Sequence, residues 1–154
     1  MFIANGDKIT LDRNYWHDMS GRAPKLGADG VTTTVQATNN FFYNNKGHDF
    51  DIYPGTSALI EGNRIYGVNT PMTAVSKKVG TVYNVPDAAS ASACSAALGR
   101  ACVMNALTNS GEWPSMKQTG VLSTMAKVKG NLVKPIAVGN VMGLVRQNAG
   151  VGKI

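Results

Sequence analysis

The residues best suited to chemistry fall in one short run, Ser20-Gly21-Arg22-Ala23-Pro24-Lys25-Leu26. Gly21 permits a sharp backbone turn and Pro24 stiffens the segment behind it. Arg22 and Lys25 are therefore expected as two cations held close together on a rigid element. Taken alone, the same run also reads as a solvated basic loop. His17 and His48 are the only histidines and have no partner pattern, so structural or surface roles are expected for both. Asp49 and Asp51 alternate as strand residues do and are expected to face solvent rather than form a metal cage. Cys94 and Cys102 enclose Ser95 to Ala101 with no histidine nearby, which disfavours metal. An even count and a loop of suitable reach fit a disulfide and an oxidising compartment, and two buried free thiols are the alternative.

The elements that must position these groups come from a repeat. Ile9 to Trp16, Val35 to Tyr43 and Ala58 to Tyr66 each hold a short β-prone stretch, an Asn, and an aromatic residue or Ile two residues later. Asn14, Asn40 and Asn63 lie 26 and 23 residues apart. That period, with no helix between the copies, predicts a parallel β-solenoid. Successive Asn side chains are expected to stack into a ladder, with Tyr15, Phe42 and Ile65 stacked inside the coil. Antiparallel strands with Asn at the turns are the alternative, and three aligned copies favour the solenoid. Residues 71–112, rich in Ala, Ser, Thr and Asn, read as an ordered loop region with a strand between Val79 and Val85. Ile136, Val138, Val141, Met142 and Val145 have near-helical spacing between Pro135 and Gly150, which predicts a C-terminal helix docked on the solenoid. Trp113, in a Gly-Glu-Trp-Pro context, is expected to pack over the coils.

Composition sets the outer limits. The chain has 154 residues, 44% hydrophobic and 16% charged, which excludes a disordered polypeptide. No apolar run is long enough to span a membrane. The net charge of +6 is uneven: nine basic and nine acidic residues balance up to Glu112, and beyond it Lys117, Lys127, Lys129, Lys134, Arg146 and Lys153 meet no acid. This asymmetry excludes a uniformly basic binding protein, and no nucleic-acid module is recognisable.

Asn14-Tyr15, Ser20 to Lys25, Asn39 to Tyr43, Gly47-His48-Asp49-Phe50 and Leu59 to Asn63, in that order, resemble the pectin lyases. These belong to the pectate lyase superfamily. Cys94 to Cys102 around Leu98-Gly99-Arg100, and the closing Asn148 to Lys153, are similar too. The resemblance implies an all-β fold, a right-handed parallel β-helix of which this chain holds a few C-terminal coils. Coils over 1–70, a loop-rich cover over 71–134 and a short helix with its tail over 135–154 make up one partial domain, 1–154.

The activity implied is β-elimination on pectin, the methyl-esterified homogalacturonan. A base removes the C5 proton, acidified by the neighbouring ester, and the C4 oxygen leaves. The resemblance makes Arg22 the catalytic residue and Lys25 a substrate-binding residue. Arginine is effectively always protonated. Arg22 must then either sit where the cation is disfavoured, with Lys25 contributing, or stabilise enolate-like charge while another group takes the proton. Ala23-Pro24-Lys25 is the pectin-lyase form of the run, and a neutral ester needs no Ca²⁺, so no metal or other cofactor is expected. A secreted monomer with neither nucleic-acid nor membrane partners follows from the resemblance and the Cys pair. Tyr15 or Trp16 offers a ring for sugar stacking, although one of two adjacent strand residues points inward. The rest of the family's catalytic residues and its aromatic cleft lie N-terminal to the matching region, so a truncated chain with little activity alone is expected. Two further readings stay open: a non-catalytic β-solenoid that binds polysaccharide, and a small basic interaction protein acting through residues 113–154.

Overall fold

The computed structural model describes residues 1–3, 6–79 and 81–150. Three successive coils each contribute three short strands. The first holds β1 (Phe2–Ile3), β2 (Lys8–Asp12) and β3 (Tyr15–His17); the second, β4 (Lys25–Leu26), β5 (Thr33–Thr38) and β6 (Phe41–Tyr43); the third, β7 (Asp51–Ile52), β8 (Thr56–Glu61) and β9 (Arg64–Tyr66). The chain then runs through α1 (Ala74–Val79), β10 (Thr81–Tyr83), α2 (Ala88–Leu98), β11 (Ala106–Thr108), α3 (Thr119–Ala126), a 3-10 turn at Lys129–Asn131 and α4 (Val138–Asn148). Strands stack in three sheets, β1-β4-β7, β10-β8-β5-β2 and β11-β9-β6-β3. Every strand pairs in parallel with its neighbour one coil away, and the antiparallel alternative falls. This is a partial parallel β-helix.

Alternation along each strand decides what enters the coil. Ile3, Leu26 and Ile52 stack in register in the first sheet; Ile9, Val35, Ala58 and Val82, and beside them Leu11, Ala37 and Ile60, do so in the second. In the third sheet the inward rung is Trp16, Phe42, Ile65 and Leu107. The expectation of Tyr15 inside the coil is therefore off by one residue, and a one-residue slip moves a side chain to the opposite face. Tyr15 instead stacks on Phe41 on the outside, 5.2 Å between ring centres. Trp113 covers the coil interior edge-on against Phe50, as expected.

The Asn ladder is present. Asn14 donates its side chain to Asn40 and Asn40 to Asn63, both at 2.9 Å, and each acceptor oxygen also takes the backbone N–H of the Asn before it. A fourth rung, Asn105, follows 42 residues after Asn63. The long interval holds α2 and the Cys94–Cys102 disulfide, which has formed. Residues 71–112, read from sequence as loop, thus include two helices. Asp87 and Ser90 cap α2 reciprocally, Ala dominates its interior, and Gly99 ends it at φ 71°.

These additions roof two of the three sheets. Leu59 and Tyr83 on the outer face of the second sheet pack under Cys94, Leu98, Val121, Leu122 and Met125 of α2 and α3. Phe41 on the third sheet packs under Val141 and Val145 of α4, so the C-terminal helix docks as expected, while Met142 on the same helix stays exposed. The closing Val151-Gly152-Lys153 lies outside the described residues.

Candidate active site

The first sheet is open over β1 and β4, while α1 covers β7, and it carries the Ser20 to Lys25 run. Inward Leu26 fixes Lys25 outward on β4, and inward Ile52 does the same for Asp51 on β7; Lys25 and Asp51 are register partners. Arg22 bridges in parallel to His48 just before this pair. Arg22, Lys25, Met1 and Phe2 line a cavity of about 460 Å³ open to solvent. The expected pairing of Arg22 and Lys25 in one place holds. A cavity of about 480 Å³ lies elsewhere, where Arg13 to His17 meet the end of α4. Arg13 there is likewise held through Nε, by Asp12 at 2.8 Å, but no lysine or second arginine lines that cavity, so the first sheet with its two cations is the better candidate.

Arg22 is half-exposed, and its Nε donates to Asp51 Oδ2 at 2.7 Å. Asp51 itself is only 4% exposed, and its Oδ1 accepts from Thr73 Oγ1 at 2.9 Å. The contact to Arg22 is a charge-assisted hydrogen bond. Among the described residues, no protein group bonds the two terminal nitrogens of Arg22. The ammonium of Lys25 stands 4.3 Å from the Tyr53 ring centre and 4.9 Å from that of Phe2, within reach of cation–π attraction.

The turn bearing Arg22 is held by the next coil. Lys46 and Gly47 both donate their N–H to Met19 O, His48 N donates to Gly21 O, and Ala23 N donates to His48 O. A Cβ on Gly47 would come within 2.4 Å of Gly21 O and 2.6 Å of Ser20 O, whereas one on Gly21 would meet nothing within 4 Å. The glycine that the turn needs is therefore Gly47.

Asp49 and Asp51 correct the expectation of solvent-facing carboxylates: both are buried. Their strand faces outward as the alternation says, but Asn45, Thr73 and α1 cover it. Asp49 Oδ1 accepts from Asn45 at 2.6 Å, while Asn45 accepts from Met19 N at 3.0 Å. Burial pushes the Asp49 carboxyl up to about 8, against the opposing pull of the Asn45 bond. His17 pairs with Asp18 and stacks on Tyr15 away from this face, and His48 Nδ1 is buried without a partner among the described residues.

Thr73, Tyr53 and Phe2 were not singled out from sequence, and Asp51 reads there only as a solvent-facing strand residue. The signal for Asp51 was the period itself, since 26 residues after Lys25 is one coil. The helix α1 that covers Asp51 leaves no comparable mark.

Fold and site together define a parallel β-helix protein with a cationic cleft on its first sheet. No protein-family model matches the chain. Curated proteins do. The chain is 41% identical over its whole length to a probable pectin lyase F-1 of Aspergillus terreus, 38% identical over its whole length to a probable pectin lyase E of Aspergillus fumigatus, and 44% identical over 97% of its length to a probable pectin lyase F of Aspergillus flavus. It spans 40%, 41% and 33% of those relatives, in their C-terminal part. These similarities support a place for the chain in the pectin lyase family.

Proposed function

We propose that these coils carry the Arg22 side of a lyase site that cleaves methyl-esterified polygalacturonan by β-elimination. The observation that carries this reading is the Arg22 guanidinium, tethered through Nε alone, with its terminal nitrogens left over an open cleft beside Lys25. Identity to the named pectin lyases across the whole chain supports the substrate class. In the reaction, the C5–H bond breaks and its proton passes to a base. The electron pair forms the C4=C5 double bond, and the C4–O bond breaks with protonation of the departing oxygen. Charge builds on the ester carbonyl as the C5 proton leaves, and a fixed cation there lowers the barrier. Arginine is effectively always protonated, which supports this stabilising role over proton abstraction by Arg22 itself. Lys25, steadied by Tyr53 and Phe2, would bind the substrate. The disulfide Cys94–Cys102 accords with an extracellular setting.

An assay on highly methylated pectin with a chelator present, following the ultraviolet absorbance of the unsaturated product, tests the reading. Turnover lost in Arg22→Ala is expected. Pectin binding with no product from the wild-type chain would replace the lyase with the polysaccharide-binding solenoid.

A further inference from the structure

The geometry points to Asp51 as the positioning residue for Arg22, braced from the next coil by Thr73; this role deepens the lyase reading and rests on it. Three features converge on Asp51. Its Cα direction is set by β7, because the inward Ile52 beside it is fully buried in the coil and its register partner is Lys25. Both of its oxygens are committed, one to Arg22 Nε at 2.7 Å and the other to Thr73 Oγ1 at 2.9 Å. The brace is itself anchored: Thr73 Oγ1 lies 2.9 Å from Ser76 Oγ, which bonds Ile52 N at 2.7 Å and Phe50 O at 3.1 Å. A carboxylate this buried is too costly to leave unpaired, so the contact to Arg22 is a required one.

The choice of nitrogen matters. Guanidinium offers a rigid planar fork, and a bond at Nε fixes its plane while leaving the outer edge free. Had Asp51 engaged the two terminal nitrogens, the cation would be spent inside the protein. Bound through Nε, Arg22 presents two donors in a set direction to an oxygen in the cleft. A lysine at position 22 has no nitrogen in the stem and cannot be held this way.

The ¹⁵N-labelled 154-residue chain tests this without relying on turnover. The Arg22 Nε–H is expected to exchange with solvent at least 10-fold more slowly than that of exposed Arg146. Asp51→Asn should abolish the difference while the melting temperature and far-ultraviolet dichroism show the coils intact. In the chelated pectin assay the same variant should lose at least 10-fold in kcat with KM within about twofold, and Asp51→Glu should recover part of kcat. Should Asp51→Asn fail to fold, Thr73→Val removes only the brace and must still speed Arg22 exchange several-fold. Fast Arg22 exchange in the wild-type chain, exchange unmoved by these variants, or an unchanged kcat in a folded Asp51→Asn each overturns the inference. Slow exchange in a wild-type chain that binds pectin but yields no product sinks the lyase reading while leaving the Asp51–Arg22 tether in place.

Discussion

Asn63 donates its side-chain amide to Asn105 Oδ1 at 2.9 Å, and the same oxygen accepts the Asn63 backbone N–H at 3.0 Å. The ladder thus crosses the helical insertion without breaking. Asn63 is fully buried, and besides this pair it accepts from Asn40 and donates to the carbonyls of Ala37 and Glu61. Asn63→Ala strands several buried groups together, at about 1–3 kcal/mol for each one left unsatisfied. A loss of about 3 kcal/mol or more is expected from urea unfolding. Asn14→Ala, at the open end where the bonds are only part-buried, should cost about 1 kcal/mol. Equal costs at the two positions would show that the ladder does not act as a buried network.

The three-coil repeat was legible because Asn14, Asn40 and Asn63 keep a near-constant interval and a buried amide tolerates no substitute at that turn. Asn105 was not, because α2 and its disulfide loop interrupt the count. Arg22 and Lys25 could be paired from sequence since they share one short run. Their partners could not: Asp51 reads as an ordinary exposed strand residue until Thr73 and Ser76, a coil away, are seen to cover it. Asp49 likewise reads as exposed, although it is buried with Asn45 bonded to its carboxyl. Tyr15 and Trp16 could be assigned one inward and one outward, but nothing local says which.

Burial of Asp49 makes stability pH-dependent in an unusual direction. Its carboxyl is pushed up to about 8 in the folded chain, from an ordinary 3.8. Between those values the folded state holds a proton that the unfolded state has released. Stability from this group is therefore full below about pH 4 and declines as pH rises toward 8, by on the order of 1 kcal/mol per pH unit. Asp87, held down to about 2 by Lys117 and Ser90, titrates below this window. Asp49→Asn keeps an acceptor for Asn45 and removes the titration, so its urea midpoint should change far less between pH 5 and pH 8. Parallel profiles for the two proteins would refute the assignment.

Glu61 and Arg100 pin the cover to the second sheet. Glu61 is fully buried and takes a two-pronged bond from Arg100, 2.7 and 2.9 Å, with Gln36 donating at 3.1 Å. Removing one partner of such a pair costs about 3–5 kcal/mol, chiefly because a charge is left buried alone. Arg100→Met is expected to lose that much in chemical denaturation. Adding Glu61→Gln should recover most of it, since the amide keeps hydrogen bonds without the charge. A double variant no more stable than Arg100→Met alone would mean the cover is held by packing under α2 and α3 rather than by this pair.

Gly47 and Gly21 give opposite expectations for the turn that carries Arg22. At Gly47 a methyl group would collide with the backbone oxygens of Ser20 and Gly21, which cannot swing aside as a flexible side chain would. Gly21 O also accepts from His48 N, and Met19 O from Lys46 N and Gly47 N, so the turn must shift as a unit to make room. Gly47→Ala is expected to cost about 1–3 kcal/mol, as overpacking does. It should also move the backbone amide resonances of Ser20 to Ala23 and reduce pectin elimination by more than its stability loss explains. Gly21→Ala meets open space, and Gly21 is not in the left-handed region, so stability within about 0.5 kcal/mol of wild type is expected, as at an unconstrained surface site. A Gly21→Ala loss as large as that of Gly47→Ala would place the constraint on the turn's own conformation instead of on its contact with the next coil.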